Sequence, residues 1–193
     1  VNEKLPSKLI VVTGVPGSGT TTVVKKALEK AKGYRFINYG DIMFDIAKRK
    51  GLISHRDEIR KLDQNTQRMI QKKAAEEIAK IMENENVILD THCTVATPKG
   101  YLPGLPEYIL RILKPNIFVI IEANPDEILG RRLKDTSRKR DITSEKEIQE
   151  HQQINRSIAT SYCMLTGATL KILKNHNDRL DECVNNFLKL LED

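Results

Sequence analysis

Val11–Ala27 reads VVTGVPGSGTTTVVKKA: an apolar run, a glycine-rich turn, then the start of a helical pattern. Within it, Gly14-Val15-Pro16-Gly17-Ser18-Gly19-Thr20-Thr21 has the glycine spacing of the strand–loop–helix motif that cradles phosphates. The glycines permit a tight concave turn with amide hydrogens pointing inward. The helix that follows contributes its first free N–H groups and its positive end to the same anion. Thr21 stands where a hydroxyl completes the coordination of a magnesium held by β- and γ-phosphates. Thr20 stands where the motif carries a lysine, whose ammonium reaches those phosphates as a point charge. Threonine cannot do that, so other groups must supply the charge. A glycine-rich turn that merely joins strand to helix is the plainer alternative, and the flanking strand and helix patterns favour phosphate. Lys25 and Lys26, one turn further on, read as solvated.

Outward from the loop, short segments rich in branched apolar residues recur at Leu9–Val12, Phe36–Ile37, Val87–Leu89, Ile117–Ile121 and Leu170–Leu173. Several lack strict alternation, the pattern of strands buried on both faces of a parallel sheet. Helical stripes lie between and after them: Ile70, Ala74, Ile78, Ile81 and Met82; Ile109, Ile112 and Leu113; Ile128, Leu129 and Leu133; and Val184, Phe187, Leu188 and Leu191. Strand and helix in alternation predict an α/β fold. Two segments depart from that rhythm. Residues 41–85 are too long for one crossover helix and read as a small helical lobe; residues 134–142, KDTSRKRDI, read as a short basic flap.

The 193 residues suit one domain, and 39% hydrophobic against 30% charged residues describes a soluble globular chain. With aromatics at 5%, the core must be aliphatic. A net charge of +6 points to anionic partners without choosing among them. Three cysteines without paired spacing indicate neither a disulfide framework nor a zinc site and suit a reducing compartment. The apolar runs are strand-sized, so neither a targeting segment nor a membrane span is expected, and the expected location is cytoplasmic.

Asp90 ends the VILD run at the expected carboxyl edge of the sheet, beside the loop. A carboxylate there can hold a magnesium-bound water. His92 reads as a packing or hydrogen-bonding residue, because transfer to an already ionised phosphate requires no proton removal. In the flap, Arg138 and Arg140 share a side if the segment is extended, and Arg131 lies near the end of the preceding helix. Guanidinium forks of this kind can bridge donor and acceptor phosphates and follow the moving charge; a solvated charge run is the alternative. Arg56 and Arg60 share a helical face, either pairing with neighbouring carboxylates or holding a second phosphate. Thr97–Pro106, TPKGYLPGLP, is stiff enough to be a wall for a base or sugar, with Tyr101 stacking or hydrogen-bonding, or else a structural turn.

The chain resembles adenylate kinases of the archaeal type, in a methanogen-like branch where a small residue replaces the loop lysine. The resemblance is carried by VVTGVPGSGTTT, INYGDIMFDIAKRKG, RDEIRKLD, ILDTHCTVATPKGYLPGLP, DTSRKRD and EHQQINRSIATSYCMLTGATLKI. It implies a nucleoside-monophosphate kinase fold: one domain over 1–193, a five-stranded parallel sheet flanked by helices, a monophosphate lobe at 41–85 and a short lid at 134–142. It implies the reaction MgATP + AMP ⇌ 2 ADP in a cytoplasmic homotrimer. The triphosphate residues would be Gly14, Val15, Pro16, Gly17, Ser18, Gly19, Thr20, Thr21 and Thr22. Arg60 would match the family's monophosphate-site arginine, and Arg131, Arg138 and Arg140 its lid and transfer arginines; beside them, Asp41, Arg56 and Tyr101 are expected to bind the acceptor and Asp90 to serve transfer. Magnesium would arrive with ATP, held by Thr21 and, through water, by Asp90; no permanent metal or organic cofactor is expected, nor a nucleic-acid or membrane partner. The competing readings are a kinase of another small acceptor such as shikimate, a P-loop ATPase, and a nucleotide sensor without catalysis.

Overall fold

The computed structural model describes residues 7–135 and 144–192. Along the chain run β1 (Leu9–Thr13), α1 (Thr20–Lys30), β2 (Tyr34–Asn38), α2 (Tyr39–Arg49), a 3-10 helix (Arg56–Lys61), α3 (Gln64–Met82), β3 (Asn86–Asp90), β4 (Thr94–Thr97), β5 (Gly100–Pro103), α4 (Glu107–Leu113), β6 (Ile117–Glu122), α5 (Pro125–Lys134), α6 (Glu145–Thr166), β7 (Thr169–Lys174) and α7 (Leu180–Leu188). Strands β2, β3, β1, β6 and β7 form a parallel sheet in that order, and β4 and β5 form a separate antiparallel hairpin. The five expected strands and the parallel α/β architecture are therefore present.

Strand β1 shows why its apolar run does not alternate. All of its residues are buried. Leu9 and Val11 join an apolar cluster with Ile70, Ala74 and Ile78 of α3 and Ile109 and Leu113 of α4. Ile10 and Val12 join another with Val23, Val24 and Ala27 of α1 and Val184 and Phe187 of α7. Helices thus cover both faces, which is what a central parallel strand requires. Truncating a buried leucine such as Leu89 to alanine would cost roughly 2–5 kcal/mol, because close packing lets the site collapse only in part. The core is predominantly Ile, Leu and Val, with Phe118, Phe187, Tyr39 and Tyr162 as its aromatic members.

Residues 41–85 consist of most of α2, the 3-10 helix and α3. Their buried side chains, among them Ile46, Ala47, Ile70 and Ile78, belong to the same apolar cluster as the sheet. Helix α2 starts at Asn38, whose side chain accepts from Asp41 N at 3.1 Å. Helix α3 starts at Asp63, whose carboxylate accepts from the amides of Asn65 and Thr66. These are N-caps of the kind that stabilise a helix by about 1 kcal/mol.

One helix and one hairpin went unread in the sequence. Helix α6 is opened by a capping box in which Ser144 and Glu147 bond each other's backbone N–H, and closed by Gly167 in a left-handed conformation. The stiff stretch Thr97–Pro106 supplies the turn and second strand of the β4–β5 hairpin, which begins at Thr94 and turns at Pro98–Lys99 with the Thr97 hydroxyl donating to Gly100 O at 2.8 Å. The last helix is shorter than its apolar stripe: it stops at Leu188, and Leu191 lies in the turn that follows. Among the described residues no helix is long and apolar enough to cross a membrane.

Candidate active site at the carboxyl edge of the sheet

The glycine-rich segment leaves β1 and enters α1 at Thr20. Gly17 and Gly19 take φ of +93° and +90°, a left-handed backbone that side-chain-bearing residues rarely adopt, so the turn depends on glycine at both positions. Ser18 N closes the turn on Val15 O at 3.0 Å. Helix α1 has no side-chain cap and no acidic residue in its first turn, which leaves its first amides available to an anion. Thr20 is half-buried and its hydroxyl lies 3.2 Å from Ser18 Oγ. Thr22 and the two following lysines, Lys25 and Lys26, are exposed.

Register carries Asp90 to the loop. It pairs with Val12 at the end of β1, and the next residue donates its amide to Val12 O at 3.1 Å. The Thr21 hydroxyl donates to Asp90 Oδ2 at 2.9 Å, so the two residues expected to serve magnesium are in direct contact. Burial raises the Asp90 carboxyl above its ordinary range, against the pull of hydrogen bonds from Thr21 and Asn38. Asp41 raises it further and Arg56 lowers it.

Asn38 links the two sides of this edge. Its Nδ2 reaches Asp90 Oδ2 at 3.4 Å, and its Oδ1 accepts from Asp41 N and from Arg56 Nη2 at 3.2 Å. Arg56 also forms an ion pair with Asp41. Of the two arginines in RDEIRKL, the fold therefore brings Arg56 to Asp41 and Asn38. The Arg60 side chain is exposed and makes no ion pair among the described residues. Glu58 serves neither arginine; its Oε2 accepts from the amides of Ser54 and His55.

Arg131 lies on the carbonyl side of the loop. It donates to Asn175 O at 2.7 Å and to Asn177 Oδ1 at 2.8 and 3.1 Å, with longer contacts to Gly17 O and Ser18 O. Arg132, not anticipated as a site residue, donates from Nε to Pro16 O at 2.6 Å. Arg138 and Arg140, with most of the 134–142 flap, lie outside the described residues. Beside Arg131 a cavity of about 460 Å³ opens between α5 and the turn after β7, lined by Asp126, Glu127, Gly130, Asn177 and Asp178. Glu127 fastens that turn to α5, accepting from His176 Nδ1 at 2.8 Å and Asn177 N at 2.7 Å.

Tyr101 is fixed against α6, with its hydroxyl donating to Glu150 at 3.0 Å and its ring 5.1 Å from that of His151. His92 is exposed. His151 is the more constrained histidine. The Thr94 hydroxyl gives its only proton to Asn155 Oδ1 at 2.6 Å, so His151 Nε2, 3.0 Å away, must be the protonated nitrogen. Burial lowers the His151 pKa, with Arg132 and His92 adding to the effect. At the end of β6, buried Glu122 accepts from Arg156 at 2.7 and 2.6 Å and from Lys174 at 2.6 Å. Burial alone would raise its pKa; these bonds outweigh it and hold the carboxyl below its ordinary range.

A glycine loop, a threonine touching a strand-end aspartate and an arginine across an asparagine are groups that can handle phosphates. Comparison with known proteins then decides the family. An adenylate kinase of Methanopyrus kandleri is 55% identical over 183 residues, covering 94% of this chain and 96% of that protein. The chain belongs to the adenylate kinase family. An adenylate kinase of Methanocaldococcus jannaschii is 48% identical, over 97% of this chain and all of the relative. The AAA domain family matches residues 13–149, from the end of β1 into α6. Among solved structures, shikimate kinase from Acinetobacter baumannii in complex with shikimate is similar with a TM-score of 0.60 and 17% identity, over 96% of this chain and 93% of that one. Shikimate kinase from Bacteroides thetaiotaomicron is similar at 0.57 and 18% identity, over 96% and 99%. At such identities the likeness is one of fold, that of the P-loop kinases.

Proposed function

We propose that this chain transfers the terminal phosphoryl group of MgATP to AMP, giving two ADP. The observation that carries the reading is the Thr21–Asp90 contact at the mouth of the glycine loop, with Asp41 and Arg56 across Asn38. The loop and the α1 N-terminus hold the β- and γ-phosphates. Arg56 meets the acceptor phosphate, and Asp41, now its partner, yields to it. AMP as the acceptor follows the activity named for the relatives, and Arg60 and Tyr101 stay in the proposed acceptor site as second contacts.

Two hard oxygen donors side by side, a hydroxyl and a carboxylate, suit magnesium, which keeps most of its waters and shares its remaining positions with phosphate. Thr21 would bind it directly and Asp90 through water, and the ion would offset charge on the phosphates. Arg131 steadies the loop, while Arg138 and Arg140 are assigned to the charge that develops during transfer. Residues 41–85 act as the acceptor lobe and 134–142 as the lid, which closes to exclude water and suppress hydrolysis. The cavity beside Arg131 is assigned in this reading to the nucleoside of the triphosphate. The proposed setting is the cytoplasm, where the free thiols of Cys93, Cys163 and Cys183 persist. The proposed assembly is a homotrimer, to which Met164 and Leu165, 84% and 60% exposed, offer apolar surface.

The test is an acceptor screen. ATP with magnesium is offered with AMP, CMP, UMP or shikimate, or with no acceptor, and ADP is followed. AMP-dependent ADP formation that stops when magnesium is chelated is the expected result. Turnover independent of acceptor would replace the reading with an ATPase, and turnover confined to another acceptor would reassign the acceptor site.

A further inference from the structure

The carbonyl side of the phosphate loop is held by side chains of α5 and of the turn after β7. Arg132 Nε donates to Pro16 O at 2.6 Å, and Asn175 Nδ2 donates to Ser18 O at 2.8 Å. Between them Arg131 Nη1 lies 3.5 Å from Gly17 O and 3.4 Å from Ser18 O. Three consecutive peptide groups thus have donors set against their oxygens. The amides of those groups belong to Gly17, Ser18 and Gly19. In a planar trans peptide the N–H points opposite the C=O, so fixing the oxygen fixes the direction of the amide. A donor on the oxygen also polarises the group and strengthens its N–H as a donor. Ser18 N is engaged with Val15 O, which leaves the Gly17 and Gly19 amides for an anion.

Asn175 is built into this arrangement. It is 5% exposed, its N donates to Glu122 O at 2.7 Å, and its O accepts from Arg131 Nη2 at 2.7 Å. A Cβ on Gly19 would collide with the Asn175 amide nitrogen, and one on Gly17 would crowd Arg132. The two left-handed glycines are therefore the places where the loop accepts its external supports.

We propose that Asn175 is a positioning residue of the triphosphate site: with Arg132 it holds the carbonyl edge of the loop so that the Gly17 and Gly19 amides face the phosphates, compensating in binding for the lysine that Thr20 replaces. The proposal rests on the ATP-site reading above. A fixed support behind the loop touches bound ATP and the transition state alike, so its loss weakens ATP binding with little change in turnover at saturation.

The experiment uses the full chain with Asn175→Asp, Asn175→Ala and Arg132→Met. Calorimetric titration with ATP and, separately, AMP is combined with steady-state kinetics and thermal unfolding. Asn175→Asp keeps the shape but sets an acceptor against Ser18 O, and should raise the Kd and KM for ATP about tenfold or more. Asn175→Ala should raise them about fivefold, and Arg132→Met should act in the same direction. AMP affinity should stay within about twofold and kcat within about threefold. Unchanged ATP affinity in folded variants, or equal weakening of ATP and AMP, would overturn the proposal. If the Asn175 variants do not fold, Arg132→Met decides by the same criteria. If the unmodified chain binds ATP without using AMP, the functional reading fails while the titrations still judge Asn175.

Discussion

Replacing Asp90 by asparagine separates the chemistry of this edge from its stability. The carboxylate is 8% exposed and accepts from Thr21 at 2.9 Å and Asn38 at 3.4 Å. Asparagine can keep the Thr21 bond through its carbonyl oxygen, so one accepted bond of about 1 kcal/mol is retained. Its neutral amide also escapes the burial that raises the Asp90 pKa. A raised folded-state pKa means that folding favours the protonated form. That contribution is fully present below the unfolded carboxyl pKa and is lost as pH rises through the folded value. At pH 7 the native carboxylate is therefore destabilising, and Asp90→Asn should leave stability unchanged or raise it by up to about 1 kcal/mol. For a chain of this length that is a Tm shift of roughly 0 to +4 °C. Catalysis should move the other way. Loss of the charge that orders a magnesium-bound water should cost about 3 kcal/mol, or a hundredfold in kcat. Thermal unfolding at pH 7 and at pH 4, beside ADP formation from MgATP and AMP, gives both numbers. The stability gain should shrink at the lower pH. A variant that melts well below the parent yet keeps its turnover would refute the assignment, because Asp90 would then be a structural residue.

Arg138→Ala and Arg140→Ala should each lower kcat by about a hundredfold, the effect of one well-aimed charged contact in the transition state. Thr20→Ala removes only the 3.2 Å contact with Ser18 Oγ and keeps the amide, so saturating kinetics should show a loss of less than about fivefold. Glu122→Gln should lower stability at neutral pH by about 2 kcal/mol, a figure reduced from that of a fully buried ion pair because the Arg156 and Lys174 side chains are half exposed. The depressed Glu122 pKa means this contribution exists above the unfolded carboxyl range and disappears as pH falls through the folded value, so the two Tm curves should converge in acid. Hydrogen exchange should slow in residues 41–85 and 134–142 when a two-headed adenosine phosphate inhibitor binds; unchanged protection in both would remove the closure step.

The three central strands, β1, β3 and β6, were legible because they are buried almost throughout, so burial alone writes an apolar run with no need of its partners; the edge strands β2 and β7 are partly exposed and keep only a shorter apolar signal. The glycine loop was legible because φ near +90° at Gly17 and Gly19 can scarcely be met by other residues. Asp90 followed from its place at a strand end. Helix α6 was hidden because its buried stripe, Ile148, Gln152, Asn155, Ala159 and Tyr162, is polar in the middle. Gln152 there bonds both N and O of Ala123, and Asn155 accepts from Thr94, partners that no local period reveals. Asn38 and Asn175 were missed for the same reason, although Asn38 carries a local signal as the cap before the α2 pattern. The spacing of Arg56 and Arg60 put both on one face of an assumed α-helix. The segment is instead a 3-10 helix, and of the two arginines the fold brings Arg56 to Asp41.

The loop lysine of other P-loop proteins combines two tasks that this chain has to divide. A lysine grips the phosphates in the ground state and, being flexible, also follows charge during transfer. Arg131, Arg132 and Asn175 are fastened to carbonyl oxygens and to the turn after β7, so in the proposed division they orient the loop, Arg131 included although the sequence reading gave it to transfer. Groups that bind ground and transition states equally lower KM and leave kcat alone. On the proposed reading these supports would serve affinity, and rate acceleration would fall to magnesium at Asp90 and to cations of the lid. In this chain those are assigned to Arg138 and Arg140. Variants behind the loop should consequently change the KM for ATP, variants in the lid should change kcat, and a double variant such as Asn175→Asp with Arg138→Ala should show the two losses multiplying independently. A strong coupling between them, seen as a combined kcat/KM defect far from the product of the single ones, would mean that the loop and the lid act as one device.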